Sequence, residues 1–185
     1  GAGKSTLLDV MLGFLEPIEG DIFIDQEKLR KNINGWRELI GYVPQKISVI
    51  NGSIKENIMF GSKNLSEKDL KHRLDDSIKI SEFSEVINGL KNGVDTIIGE
   101  KGLDLSGGQI QRLAFARALF RKPEILILDE STNALDKKIE NKIINNLLEF
   151  LKNKTIIMIS HNLDTLKFCD LIYELKNFSL NKINE

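Results

Sequence analysis

Apolar and polar positions follow two periods along this chain, and the switches between them mark its elements. Leu7, Leu8, Met11, Leu12 and Leu15 share one face at helical spacing, and Pro17 is expected to close that helix. Asp21 to Asp25 alternates after Gly20 and predicts a strand. Leu39 to Val43 predicts a second short strand, ended by Pro44. From Ser66 to about Leu90 the period is helical again. Ser66 and Asp69 have the spacing of a capping box, and Leu70, Leu74 and Ile78 share a face, with Ile80 and Phe83 beyond. Ile125 to Leu128 is a continuous apolar run of strand length after Pro123, the pattern of a parallel strand buried on both faces. Ile139, Ile143, Ile144, Leu147, Leu148 and Leu151 predict an amphipathic helix with a core-facing stripe. Thr155 to Ser160 reads as another buried strand and Leu171 to Leu175 as a last one, followed by a polar end from Asn177 that has the look of a natural C-terminus.

Composition narrows the class. The 185 residues are 41% hydrophobic and 29% charged, which suits one compact domain. Lys and Arg number 26 against 27 Asp and Glu, a net charge of −1, so the charge balance gives no polyanion-binding signal and argues against a nucleic-acid partner. The single cysteine, Cys169, cannot form a disulfide within the chain and reads as a small buried or half-buried side chain. No apolar run approaches the ~18 residues a membrane span needs, so a membrane link would come from a partner or from sequence outside this chain. Lys28 to Lys31 and Lys71-His72-Arg73 read as solvated charge.

Three stretches carry phosphate chemistry. The chain opens with Gly1-Ala2-Gly3-Lys4-Ser5-Thr6, the back half of the pattern G-x-x-x-x-G-K-[ST]. The first glycine of that pattern would precede residue 1, so the chain reads as a piece of a longer protein. Backbone amides of such a loop cradle phosphates, Lys4 reaches the β and γ phosphates, and the Ser5 hydroxyl ligates Mg²⁺. Further on, Ser106, Gly107 and Gly108 open a helical run to Arg121, where N–H groups and the helix dipole can face an anion. The Ile125 strand then delivers Asp129 and Glu130 to its carboxyl end, where ligands of open α/β sheets bind. One carboxylate can serve a metal and the next a water molecule.

Leu105-Ser106-Gly107-Gly108-Gln109, followed by Gln111-Arg112 and Ala116 to Leu119, resembles the signature of the ABC ATPase family. Leu128-Asp129-Glu130 resembles that family's Walker B strand with its catalytic glutamate, and Asn133-Ala134-Leu135-Asp136 its D-loop. Gln45 resembles the Q-loop glutamine and His161 the switch histidine. Asn51 to Gly61 and Gly99-Glu100-Lys101-Gly102 resemble the exporter branch, although the family's usual form has arginine where Lys101 stands. The motifs follow the family's order across the whole chain.

The resemblance implies an α/β P-loop NTPase fold: a parallel-sheet core, an antiparallel β portion and a helical signature subdomain at about 52–122, all within one ATP-binding domain spanning 1–185. It implies ATP and Mg²⁺ as ligands. Glu130, His161 and Gln45 take catalytic roles, and Ser5, Gln45 and Asp129 the metal. Gly1, Ala2, Gly3, Lys4, Ser5 and Thr6, with Ser106, Gly107, Gly108, Gln109 and Asp136, bind the nucleotide, and an adenine-stacking aromatic lies upstream of residue 1. It also implies a head-to-tail dimer, homomeric or heteromeric, in which the signature of one domain closes over ATP held by the other. A transmembrane domain fused upstream would hold the assembly at the cytoplasmic face of a bacterial inner membrane and export a lipid, lipid-linked sugar, peptide or drug. The competing readings are a non-transport ABC ATPase acting on DNA or ribosomes, and a non-hydrolysing regulatory subunit, which the presence of Glu130 disfavours.

Overall fold

The computed structural model describes residues 3–62, 65–100 and 102–183, apart from the side chain of Lys31. Gly1, Ala2 and Lys101, named above for the phosphate loop and the segment before the signature, lie outside the described residues. In chain order the elements begin with α1 (Lys4–Met11), β1 (Phe23–Ile24), β2 (Glu27–Lys28), α2 (Ile33–Leu39) and β3 (Ile40–Val43). There follow β4 (Gly52–Ser53), α3 (Ile54–Ile58), α4 (Glu67–Ile80), α5 (Ser84–Asn88), β5 (Ile97–Ile98) and α6 (Gly107–Phe120). The last are β6 (Ile125–Asp129), α7 (Lys137–Phe150), β7 (Thr155–Ile159), α8 (Leu163–Leu166), β8 (Tyr173–Lys176) and β9 (Ser179–Lys182). They form two compact units, Gly1–Ile40 with Ile159–Glu185, and Gly41–Met158.

In the first unit, α1 ends earlier than the apolar stripe predicts. It stops at Met11, not before Pro17, because Gly13 takes a left-handed φ of 71°. The N–H of Phe14 then bonds Asp9 O and that of Gly13 bonds Val10 O, the paired bonds of a Schellman end. The left-handed φ favours glycine at residue 13, and a Cβ there would also have to displace Ile33 Cδ1, 2.1 Å away. Leu15 therefore leaves the helix face and is 46% exposed. From α2, Trp36 Nε1 donates to Met11 O at 2.7 Å and Arg37 to Gly13 O at 2.7 Å, satisfying the carbonyls that end α1. The strand expected at Asp21 to Asp25 shrinks to a two-residue arm of a hairpin, turned by Asp25 and Gln26, both at positive φ. The polar tail contains a strand of its own. Asn177 and Phe178, again both at positive φ, turn β8 into β9 with Lys176 opposite Ser179. Local polarity hid it, because all four β9 residues are exposed and show no buried face.

In the second unit, β6 lies between β3 and β7 in the parallel core, and β4 and β5 pair antiparallel. Helix α6 is apolar nearly all round, so it is buried on two sides. Leu113, Ala116 and Phe120 join Ile54, Leu74, Ile78 and Phe83 of the helical part. Ala114, Phe115, Ala118 and Leu119 join Val43, Leu126, Leu128, Ile143 and Leu147 around the sheet. Each large side chain buried this way contributes about 1.5–3 kcal/mol. The α4 start carries half of the expected box: Ser66 Oγ accepts from the Asp69 N–H, but the Asp69 carboxylate takes the Ser66 hydroxyl instead of its backbone N–H. Two packing expectations need correction. Leu148 is 41% exposed, since a helical step carries it past the seam that Leu147 and Leu151 fill. Strand β7 is half-buried rather than buried, because it stands at the end of the described strand order while β6 has a neighbour on each side.

Candidate functional site

Each unit carries one cluster of the residues singled out by the motifs. In the first unit Gly3 precedes α1 with φ 90° and provides no side-chain cap, so the first-turn N–H groups of Lys4, Ser5 and Thr6 stand at the positive end of the helix. Ser5 and Thr6 are exposed there. Lys4 Nζ lies 2.6 Å from His161 Nε2, across 157 positions of sequence. The backbone on both sides of His161 is pinned. The Asn162 N–H donates to Ser160 Oγ at 2.9 Å, and Asn162 Oδ1 accepts from the Asp164 N–H at 3.0 Å to start α8.

In the second unit the neighbouring strands β3 and β6 bring four polar groups together at their ends. Gln45 Nε2 donates to Glu130 Oε2 at 2.7 Å, and the Tyr42 hydroxyl donates to Asp129 Oδ2 at 3.3 Å. Glu130 itself has a left-handed φ of 47°, a bend that ends the strand at the carboxylates. Ser131, 2% exposed, follows with a hydroxyl that finds no partner among the described residues. Beyond it the Leu135 N–H bonds Thr132 O, and Asp136 caps α7 by accepting from the Ile139 N–H at 3.0 Å. Asp136, expected at the nucleotide, thus has a structural task as well.

The glycine-rich start of α6 is a complete capping box. Ser106 Oγ accepts from the Gln109 N–H, and Gln109 Oε1 accepts from the Ser106 N–H at 2.8 Å. Gly107 and Gly108 are the first two residues of the helix, so their N–H groups lie in its unpaired first turn.

Sequence reasoning missed Tyr42. Its partner lies 87 positions away, and no local pattern tells which strand β3 adjoins. It also missed the hub at Asn57, which is fully buried. There Arg117 donates to Asn57 O at 2.8 Å, to Asn57 Oδ1 at 3.0 Å and to Ser48 O at 3.0 Å. An arginine among the apolar residues of the second half of α6 was the available signal. Burial lowers the Arg117 pKa from its ordinary value.

Comparison with known proteins places this arrangement. The model of the ABC transporter family matches residues 1–133. A Rickettsia typhi protein named as an export ATP-binding/permease protein is 43% identical over 173 residues, covering 93% of this chain and 29% of that protein. An uncharacterized ABC transporter ATP-binding protein of Bacillus subtilis is 40% identical over 178 residues, covering 96% of this chain and 30% of that one. A solved structure of a bacterial Atm1-family ABC exporter with ATP bound matches with a TM-score of 0.89 and 35% identity, over 97% of this chain and 31% of that chain. The chain spans less than a third of the length of these relatives.

Proposed function

The chain belongs to the ABC transporter family, and on that premise we propose that it is the ATP-hydrolysing domain that powers export of a substrate across a membrane. The observation that carries the reading is the Gln45–Glu130 hydrogen bond, which joins the Q-loop and Walker B motifs at the end of the central strand. The exporter direction is supported by relatives named for export and by the exporter-type segments around Asn51 and Gly99.

The donor set suits Mg²⁺. The Ser5 hydroxyl, the Asp129 carboxylate and the Gln45 amide oxygen are hard oxygen donors, and such a cation is held by one or two carboxylates with the substrate's phosphates. When bound, it offsets charge on the transferred phosphate. Lys4 would donate to the β and γ phosphates from the first turn of α1, and Ser5 and Thr6 would add N–H groups of the same turn. His161 would donate to the γ-phosphate. Glu130 would orient the attacking water and take its proton, with Gln45 fixing the carboxylate.

Ser106, Gly107, Gly108 and Gln109 would act on ATP held by a second domain of this kind, in a head-to-tail dimer, homomeric or heteromeric. Residues 52–122 would form the subdomain that carries this signature. Among the described residues no helix is long and apolar enough to cross a membrane. The membrane part would be fused upstream, in one chain with the ATP-binding part as in the relative named "ATP-binding/permease", and would place this domain at the cytoplasmic face of a bacterial inner membrane.

The test is Mg²⁺-dependent phosphate release by the purified full-length protein with and without Lys4→Ala. Release that disappears in the variant is expected. Equal release from both proteins overturns the reading.

A further inference from the structure

We propose that Gln111 is a positioning residue that joins the signature segment and the D-loop into one mechanical piece. Gln111 lies one turn into α6 and is 6% exposed. A primary amide is kept at such a place against its desolvation cost when it has a partner. Its Oε1 accepts from the backbone N–H of Ala134, in the D-loop, at 3.0 Å.

The surrounding geometry makes this bond the latch of a close contact. A Cβ on Gly107 would stand 3.5 Å from Ala134 Cβ, and one on Gly108 would stand 3.1 Å from Ala134 O. The start of α6 therefore lies directly on the loop: a Cβ at 107 would be in ordinary contact with Ala134, and at 108 the lack of a side chain eases the approach to the loop backbone. Each side is also rigid by itself. The helix start is closed by its own capping box. The loop is closed by the Leu135-to-Thr132 bond and by Asp136 at the head of α7. Gln111 then gives the loop N–H at Ala134 a buried acceptor on α6.

The inference rests on the proposed reading that the signature and the D-loop work on a nucleotide held by the partner domain. Two elements that move as one piece reach that nucleotide together, so closure is a single two-state event rather than two successive dockings. A methionine at 111 fills similar volume but offers no oxygen, whereas a glutamate keeps the acceptor.

The experiment is hydrogen exchange on the full-length protein titrated with a non-hydrolysable ATP analogue. In the parent protein the Ala134 amide is expected to be protected before nucleotide is added. Segments 107–109 and 132–135 are expected to gain protection at one shared analogue concentration. In Gln111→Met the Ala134 amide should exchange about tenfold faster, the scale of one net hydrogen bond. Its two segments should then close at different concentrations, while binding of a fluorescent ATP analogue at the P-loop is unchanged. Gln111→Ala, which also lacks the acceptor, should do the same if the methionine variant does not fold, and Gln111→Glu should restore the shared midpoint. A merely structural role would lower the melting temperature and leave the midpoints together, so coincident midpoints in the folded Met or Ala variant overturn the proposal. Slow Ala134 exchange in the free parent with no protection on adding analogue overturns the partner-nucleotide reading, and the proposal with it. Separate midpoints in the parent overturn the proposal alone.

Discussion

Gln45 donates from Nε2 to Glu130 Oε2 at 2.7 Å, bridging 85 positions of sequence. The bond holds the carboxylate at the end of β6, where the backbone of Glu130 bends through a positive φ. An amide at 130 could still pair with a neighbour but could not take a proton from water. In the full-length protein, Glu130→Gln is expected to lower ATP hydrolysis by about 10²–10⁴-fold, the range of a positioned base. Nucleotide affinity should be preserved. Steady-state phosphate release beside a binding titration checks both, and a wild-type rate would remove Glu130 from the catalytic role.

Arg117 reaches three acceptors with one planar group, two on Asn57 and one on Ser48. Lysine keeps the charge but not the fork. Arg117→Lys is expected to lose about 1.5–3 kcal/mol of stability, the worth of hydrogen bonds to a charged donor. The urea midpoint of the variant measures this, and an unchanged midpoint would show that the hub contributes nothing.

The Ser131 hydroxyl is buried without a partner among the described residues. Removing an unsatisfied buried hydroxyl relieves a cost of about 1–3 kcal/mol, less the small cavity left behind. Ser131→Ala should therefore be neutral or stabilising in denaturant titration. A clear loss of stability would mean that the hydroxyl is bonded.

The capping box at α3 gives a pH dependence. Glu56 accepts from the Ser53 backbone N–H at 2.7 Å and from the Ser53 hydroxyl at 3.0 Å, and these bonds lower its carboxyl pKa below the ordinary 4.5. A lowered folded pKa stabilises the fold above the ordinary value, and that contribution is lost as pH falls through the folded one. The wild-type advantage over Glu56→Gln should be present at neutral pH and shrink below 4.5. Urea midpoints of the two proteins on either side of that value decide it, and a gap that grows in acid would reverse the sign.

Cys169 is half-buried, and burial, with Asp170 nearby, raises its thiol pKa. Because the thiolate is the nucleophile, alkylation at neutral pH should be slower than for a free thiol and should speed up in denaturant. Equal iodoacetamide rates in native and denatured protein would refute this.

The legible parts were those whose cause is local. The β6 run and the α6 start at Ser106 each depend on neighbours a few positions away, and they fold as read. The errors have one source. Leu15 and Leu148 carry the right hydrophobicity at nearly the right spacing, but Gly13 ends one helix early and the α7 seam is filled without Leu148. Of the β8–β9 hairpin the first arm was read, from Leu171 to Leu175, but β9 was not, because all four of its residues are exposed and show no buried face.

The sequence by itself determined the family motifs, their order and the type of most elements. A phosphate loop, a capping box and an acidic strand end are made by contiguous residues, so their chemistry is written in short words. Tertiary structure alone decided which distant residues meet: Lys4 with His161, Tyr42 with Asp129, Gln111 with Ala134 and Arg117 with Asn57. The physical reason lies in how the two are specified. Burial of apolar faces drives strand order and helix packing, and it is non-directional, so many pairings suit one hydrophobic pattern. The polar contacts then form wherever that packing has carried their donors and acceptors, at separations of 157, 87, 23 and 60 positions that no local reading spans.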